Sequence, residues 1–482
     1  MSAPIATPVV PLKPAGSSRP FDRQNRQPKH PVQLGLDGMG FPNTEYGNAE
    51  RLVEQHGADL HYCNDLKKWY AWDGMRWKPD SSAEVVRMAK DSVRNIYRSA
   101  ADIDDVEIRK ATAGWARRSE KAAQIMAMIR LAESEKGIPI EPKDFDPNPW
   151  LLNCLNGTLD LRTGDLQPQS RANLLTKLAP VRYNSAAKHP RWKRFLSEVF
   201  SPHPDLVPFV QRAVGYSLTG DTREECLFLL NGSGRNGKGT FIKTLTMMLG
   251  DYAGTAAFSA FVPKREHGPC DDIANMKGKH FMASQESREG AAFAESIVKT
   301  MTGGDIINAR RLYENALEIV PTWKIWLATN HLPRITGTDP GIWSRMKLIP
   351  FDVSFEGRED RALKSALEAE LPGILAWAVE GCLRWIEDGL QFPKTVQQAT
   401  ATYRKESDHV GQFLDECCVI ADSVRAKAGE LYTGYRTWAE PSGEEVLSNM
   451  LFWRRLTERG IRKTHEATGN VYHGIGLRSK HS

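Results

Sequence analysis

The sequence predicts an α/β fold: a parallel-sheet core built around a phosphate-binding loop, preceded by a helical/β N-terminal domain and followed by a winged-helix-like C-terminal module. Three observations carry this. Between about Trp192 and Phe351, apolar runs of strand length alternate with helical patterns, as a parallel sheet requires. The first run leads into a glycine-rich loop and then a helix. After Phe351 the pattern turns mainly helical, through Trp377, Trp385 and Tyr403, and closes on the strand-like Val471 to Gly476.

At 482 residues the chain is too long for one ordinary core. The expected divisions are a disordered basic tail over 1–40, an N-terminal domain over 41–190, the α/β core over 191–355, a helical lid over 356–408 and the winged-helix-like end over 409–482. The tail is rich in Pro, Ser and Gly and carries Lys13, Arg19, Arg23, Arg26 and Lys29 without an apolar period. Seven scattered cysteines form no Cys-x-x-Cys pair and no zinc spacing, so they are expected to be reduced and packed. No apolar run is long enough to span a bilayer, which points to a cytoplasmic protein without a membrane partner. A net charge of +5 permits nucleic acid binding without arguing for it.

Lys68 to Trp77 reads as a β-hairpin, because Asp73-Gly74 suits a tight turn and aromatics flank it. Those aromatics serve either cross-strand packing, their commoner use, or stacking on unpaired bases. Ala83 to about Glu135 reads as helices, with Val86, Met88, Val93 and Ile96 at helical spacing, and Pro147 to Asp165 as short strands.

In the core, the apolar run Cys226 to Leu230 precedes Asn231, Gly232, Ser233, Gly234, Arg235, Asn236, Gly237, Lys238, Gly239 and Thr240, and a helix follows through Phe241, Leu245 and Met248. Glycines let the backbone turn so that its N–H groups and the helix N-terminus converge on anionic oxygens, and Lys238 neutralises the β- and γ-phosphates. The residue after the lysine, where a Ser or Thr usually holds Mg²⁺, is Gly239, so Thr240 or an acidic site must supply that contact. A second run, His280 to Ala283, ends in Ser284, Gln285 and Glu286; Glu286 can orient the attacking water and join the Mg²⁺ shell. A third, Ile325 to Ala328, ends in Thr329 and Asn330, whose amide can hold the same water or read the γ-phosphate. A fourth, Met346 to Phe351, follows Arg345, whose guanidinium suits either a neighbouring subunit's nucleotide or a structural ion pair. Lys299, Arg310 and Arg311 flank a Gly303-Gly304 turn, an arrangement suited to gripping a sugar-phosphate backbone or to ion pairs between subunits. Near the end, Arg454, Arg455, Arg459, Arg462 and Lys463 suit phosphates or a solvated helix face.

The ordered set of this loop, Ala283-Ser284-Gln285-Glu286, Thr302-Gly303-Gly304-Asp305 with Ala309 to Tyr313, Trp326 to Pro333 and Gly341 to Arg345 resembles the helicase part of the phage/plasmid primase-helicases. These are superfamily 3 helicases, a group that includes the poxvirus primase-helicase. Asn48 to Leu52 with Trp72 to Gly74 resembles the start of that family's domain ahead of the helicase, and Leu371 to Leu375 its lid, so the likeness covers roughly residues 43 to 480. It implies an AAA+ type fold, homo-hexameric rings, Mg-ATP hydrolysis between subunits, and movement on single-stranded or forked DNA in a bacterial host cell. By position it implies Lys238 for phosphate, Glu286 for the catalytic carboxylate, Asn330 for sensing and Arg345 for a trans-acting finger. Members often carry two adjacent acids where Gln285 precedes Glu286 here.

Relatives with a primase need paired carboxylates for two metals. The two Asp-x-Asp candidates, Asp102/Asp104 and Asp144/Asp146, lack a strand context, so a separate primase or other replication partner is expected. Two other classes stay open: a nucleotide kinase, because Gly-Lys-Gly-Thr also occurs there, and a non-catalytic origin-binding scaffold.

Overall fold

A computed structural model describes residues 40–262, 271–285, 292–310, 316–335, 339–440, 446–467 and 469–478. The expected tail over 1–40 lies, but for its last residue, outside them. The chain forms two compact units, residues 1–62 with 80–139 and residues 63–79 with 140–482.

In the first unit, helix α1 (Glu45–His56) is capped by Thr44, whose hydroxyl accepts from the Gly47 amide at 3.0 Å. Strand β1 (Leu60–Cys63) follows, then α2 (Glu84–Ala101), α3 (Val106–Ser119) and α4 (Ala122–Ala132). Asn48 and Arg51 on α1 are fully buried. Asn48 donates to Ser119 Oγ at 2.9 Å and accepts from Arg51 Nη1 at 2.8 Å and from Trp115 Nε1 at 2.9 Å. Arg51 Nη2 reaches the Phe41 carbonyl at 3.1 Å. A buried polar group is tolerated only when partnered, and this knot fastens α1 to α3.

In the second unit, β2 (Lys68–Trp72) and β3 (Trp77–Pro79) form the expected antiparallel hairpin, with Asp73 Oδ1 accepting from the Met75 and Arg76 amides at 2.9 Å. Tyr70 and Trp77 are buried, Tyr70 against Phe145 with ring centres 4.4 Å apart, so packing is the use these two rings serve. Strands β4 (Leu151–Cys154), β5 (Gly157–Asp160) and β6 (Asp165–Gln167) form an antiparallel sheet, and helices α5 (Pro190–Val199) and α6 (Leu206–Tyr216) lead into the core.

There the order runs β7 (Leu227–Asn231), α7 (Lys238–Leu249), β8 (Ala253–Ala257), α8 (Asp271–Ala274), β9 (Phe281–Gln285), α9 (Glu295–Thr302), the antiparallel pair β10 (Ile307–Arg310) and β11 (Ala316–Ile319), then β12 (Lys324–Thr329), α10 (Pro340–Trp343) and β13 (Met346–Pro350). Five strands make one wholly parallel sheet in the order β13-β7-β12-β9-β8. Alternate residues feed two cores: Phe228, Leu230, Trp326 and Ala328 pack on one face, Leu227, Leu229, Ile325 and Leu327 on the other. Burial on both faces is why these strands read as unbroken apolar runs.

Helices α11 (Leu363–Ala369), α12 (Leu371–Asp388) and α13 (Lys394–Glu406) follow. The C-terminal segment runs α14 (His409–Cys417), β14 (Cys418–Lys427), α15 (Ala428–Ala439), α16 (Asn449–Glu458), β15 (Arg462–Glu466) and β16 (Gly469–Leu477), with an antiparallel sheet in the order β14-β16-β15. It has its own core of Val410, Phe413, Leu431, Tyr435, Phe452, Leu456, Tyr472 and Ile475. Six described cysteines are free and five of them buried. Among the described residues no helix is long and apolar enough to cross a membrane.

Candidate active site

The carboxyl ends of β7, β12 and β9 lie side by side, Thr329 paired with Asn231 and Ala328 with Gln285. Ligands of open α/β sheets bind in the crevice beyond such ends. From Asn231 the chain turns into α7 through a loop stitched to the end of β13. The Phe351 amide donates to the Asn231 carbonyl at 2.7 Å, and the buried Asn236 Nδ2 donates to the Phe351 carbonyl at 3.0 Å. Two glycines are steric requirements. A Cβ on Gly232 would stand 2.2 Å from the Phe351 oxygen, and Gly237 combines φ of +92° with Val199 Cγ2 2.9 Å from any Cβ.

Lys238 opens α7 and is only 6% exposed. Its ammonium donates to the Gly232 carbonyl at 2.5 Å and to Asn330 Oδ1 at 3.1 Å. Burial pushes its pKa down to about 8. Lys238 and Asn330, 92 residues apart in sequence, are thus in direct contact. Ser233, Gly234 and Arg235 are exposed at the loop's tip. Arg235, at φ of +54°, pairs with Glu359 at 2.9 Å and Glu356 at 3.5 Å. Among the described residues, apart from its chain neighbours and its own helix backbone, nothing lies within 4 Å of where a Cβ on Gly239 would stand, and Thr240, next along α7, is half-buried. Glu286 lies outside the described residues, one position beyond the end of β9. Among the described residues, no group of three or more His, Cys, Asp or Glu is placed to hold a metal ion.

Arg345 stands elsewhere. It precedes β13, and its carbonyl accepts from the Leu227 amide at 2.8 Å at the start of β7. The glycine-rich loop leaves the other end of that strand, about 15 Å away at 3.3 Å per residue. Lys299 sits on α9, one face of which is buried, and its ammonium is ion-paired with Asp339. Arg310 ends β10, while Arg311 lies outside the described residues. Of the basic residues near the C-terminus, Arg455 is buried and pairs with Glu458 at 3.0 Å, and Arg459 pairs with Asp408; Arg454, Arg462 and Lys463 are exposed.

Two residues escaped the sequence reading. Lys324, at the start of β12, is 1% exposed, and its ammonium caps the carbonyls of Thr219, Asp221 and Thr322, with burial pushing its pKa down to about 7. A charged residue opening an apolar strand was the available signal. Glu225, which pairs with Arg345 at 2.5 Å, left none.

Comparison with known proteins bears on this geometry. A family model described as "D5 N terminal like" matches residues 49–201, and one described as a family of unknown function (DUF5906) matches residues 230–345. The chain is 25% identical to "Putative helicase L207/L206" of Acanthamoeba polyphaga mimivirus, over 84% of this chain and 47% of that protein. It is 23% identical to "Putative primase C962R" of African swine fever virus, over 61% and 34%. These matches support a phage and viral primase-helicase family for this chain. A further relative, "Putative helicase 022R" of Frog virus 3, is 25% identical over 51% of this chain and 27% of its own length. The chain therefore spans less than half the length of these relatives. The second model begins at the last apolar residue of β7 and ends at Arg345, so it takes in Lys238, Asn330 and the β10–β11 pair. A solved structure, the apo NrS-1 C-terminal region, aligns with a TM-score of 0.47 at 9% identity over 86% of this chain and 96% of that one.

Proposed function

We propose that this chain is an ATP-dependent DNA helicase motor of phage, prophage or plasmid replication, working as a hexameric ring on single-stranded DNA. The observation that carries the reading is the contact between Lys238 and Asn330 at neighbouring strand ends. A nucleoside triphosphate entering there meets an ammonium for its β- and γ-phosphates and an amide able to sense the γ-phosphate or hold the attacking water. Glu286, following β9, is the carboxylate assigned to that water. Mg²⁺ takes oxygen ligands and commonly keeps only one or two from protein; the Thr240 hydroxyl is the candidate in place of the Ser or Thr that Gly239 replaces, with Glu286 as the second. Arg345, at the far end of the strand pair, is assigned to the nucleotide of an adjoining protomer in an AAA+ type ring. The relatives' names support helicase and replication roles.

The DNA-gripping element in this reading is the β10–β11 pair with Arg310 and Arg311, with Lys299 behind it on α9 and held by Asp339. The α-β-α-α-β-β order of the C-terminal segment supports a winged helix, whose exposed Arg454, Arg462 and Lys463 would meet phosphates.

The deciding measurement is ATP turnover with and without single-stranded DNA. Strong stimulation is expected; phosphoryl transfer to a nucleoside monophosphate would make the chain a kinase, and no turnover would leave a scaffold. Substituting alanine at both Arg310 and Arg311 is expected to preserve basal hydrolysis while abolishing unwinding of a forked duplex. Unchanged unwinding would give these arginines a structural role.

A pH effect follows from the buried lysine. The ammonium form binds phosphate, and burial lowers the lysine's pKa to about 8. As pH rises through 8 the free protein loses this proton, so binding must first restore it. Affinity for ATP is expected to fall between pH 8 and pH 9.5, approaching about tenfold per unit, because one proton is then taken up per nucleotide bound. A flat titration across that window would show that the lysine is not the phosphate contact.

A further inference from the structure

We infer that Glu225 is a positioning residue for Arg345, fixing its guanidinium so that two N–H groups are left for a triphosphate bound on an adjoining copy of this chain. The inference rests on the proposed trans-acting role of Arg345.

A guanidinium has five N–H donors. In Arg345, Nε donates to Thr302 Oγ1 at 3.1 Å, Nη1 to the Gly341 carbonyl at 2.7 Å and Nη2 to Glu225 Oε2 at 2.5 Å. Among the described residues, one N–H on each terminal nitrogen remains without an acceptor, on a side chain 18% exposed. A donor pair already aimed and largely desolvated acts on transition-state charge without reorganising.

The loop that presents Glu225 is built for rigidity. Glu225 has φ of +45°, a left-handed conformation disfavoured for a residue with a Cβ and maintained only where surroundings over-determine it. Lys324 pins the Thr219 and Asp221 carbonyls from below. Arg223 pairs with Asp221 at 2.6 Å and lies over the rings of Trp150 and Trp385, 5.6 and 5.5 Å from their centres. Glu224 accepts from Trp385 Nε1 at 2.7 Å. The backbone of Arg345 is tied to the same edge through Leu227. Glu225 is half-exposed, and an ion pair of that kind adds little stability on its own. Holding a strained loop for so small a return makes sense if the return is the aim of Arg345.

The test is steady-state ATP hydrolysis by the full chain with single-stranded DNA, for Glu225→Gln, Arg345→Ala and the double variant, with melting temperatures alongside. Glu225→Gln is expected to lower kcat about tenfold at unchanged KM, with no further loss when Arg345 is already alanine, because both act through one guanidinium. Glu225→Asp, which keeps the charge, is expected to recover most of kcat. Wild-type kcat in Glu225→Gln, an equal additional loss on top of Arg345→Ala, or no recovery by Asp in a folded variant would each overturn the inference while leaving Arg345 its role. Wild-type kcat in Arg345→Ala would overturn the trans-acting role itself, and Glu225 with it.

Discussion

Lys238→Ala is expected to reduce ATP turnover on the order of 10³-fold or more, since it removes the fixed charge facing the transferred phosphoryl group. The fold should survive. Lys238 contributes a buried charge whose desolvation already lowers its pKa to about 8, and its acceptors are a carbonyl at the mouth of the site and the exposed Asn330. Removing a buried cation that is only partly compensated relieves as much as it forfeits. Single-turnover hydrolysis, read beside an unchanged melting curve, separates chemistry from folding. Hydrolysis at the wild-type rate would show that the glycine-rich loop is not where ATP is held.

The second large effect is structural. Trp326 is fully buried in the middle of β12; its ring stacks on Phe228 with centres 4.3 Å apart and meets Phe241 and Phe281, each at 5.7 Å. Its Nε1 donates to Ser217 Oγ at 3.0 Å. One side chain thereby joins β7, β9, α7 and the end of α6. Trp326→Ala should cost about 3–5 kcal/mol, the usual penalty for deleting a large buried ring and leaving a cavity. Thermal unfolding would show it as a fall of roughly 10 °C in Tm, and Trp326→Phe should retain much of the loss. A melting curve within a degree of wild type would mean the cluster collapses freely around the gap. The effect should reach the site too, because Trp326 stands three residues before Thr329 and Phe228 three before Asn231, on the two strands that carry Asn330 and the loop.

How much of this was legible follows from burial. The four apolar runs were readable because their strands are covered on both faces and show no polar alternation. The strand Ala253–Ala257 was not, being an edge of small residues, Ala-Gly-Thr-Ala-Ala, with no side chain large enough to betray it. Cys418–Lys427 escaped for the opposite reason: most of its residues face solvent, and its pairing with β16 is interrupted between Ile420 and Arg425. The strand order was beyond reach, since crossovers of similar length are compatible with several neighbours. Lys238 and Asn330, which the structure brings into contact, stand out in the sequence because each follows an apolar run. Glu225 could not be found in this way: its partner is 120 residues away, and an acid ahead of a strand carries no mark. Lys299 read as a gripping residue because its neighbours are basic and glycine-rich, whereas its position on a helix facing Asp339 depends on a turn 40 residues later.

The knot around Asn48 and Arg51 bears on where this protein can be shortened. The Asn48 to Leu52 segment looks like a family signature, yet Asn48 and Arg51 face the interior and touch no solvent. The guanidinium there leans on the Phe41 carbonyl, and on Asn43 Oδ1 at 3.4 Å, from residues that a trimming scheme guided by helix boundaries would discard as leader. A fragment opening at Thr44 would keep every helix of the first unit and still remove two of the oxygens that hold this buried cation, a penalty of about 1–3 kcal/mol for a three-residue saving. Truncation beyond Phe41 is therefore limited by one arginine rather than by any element of secondary structure.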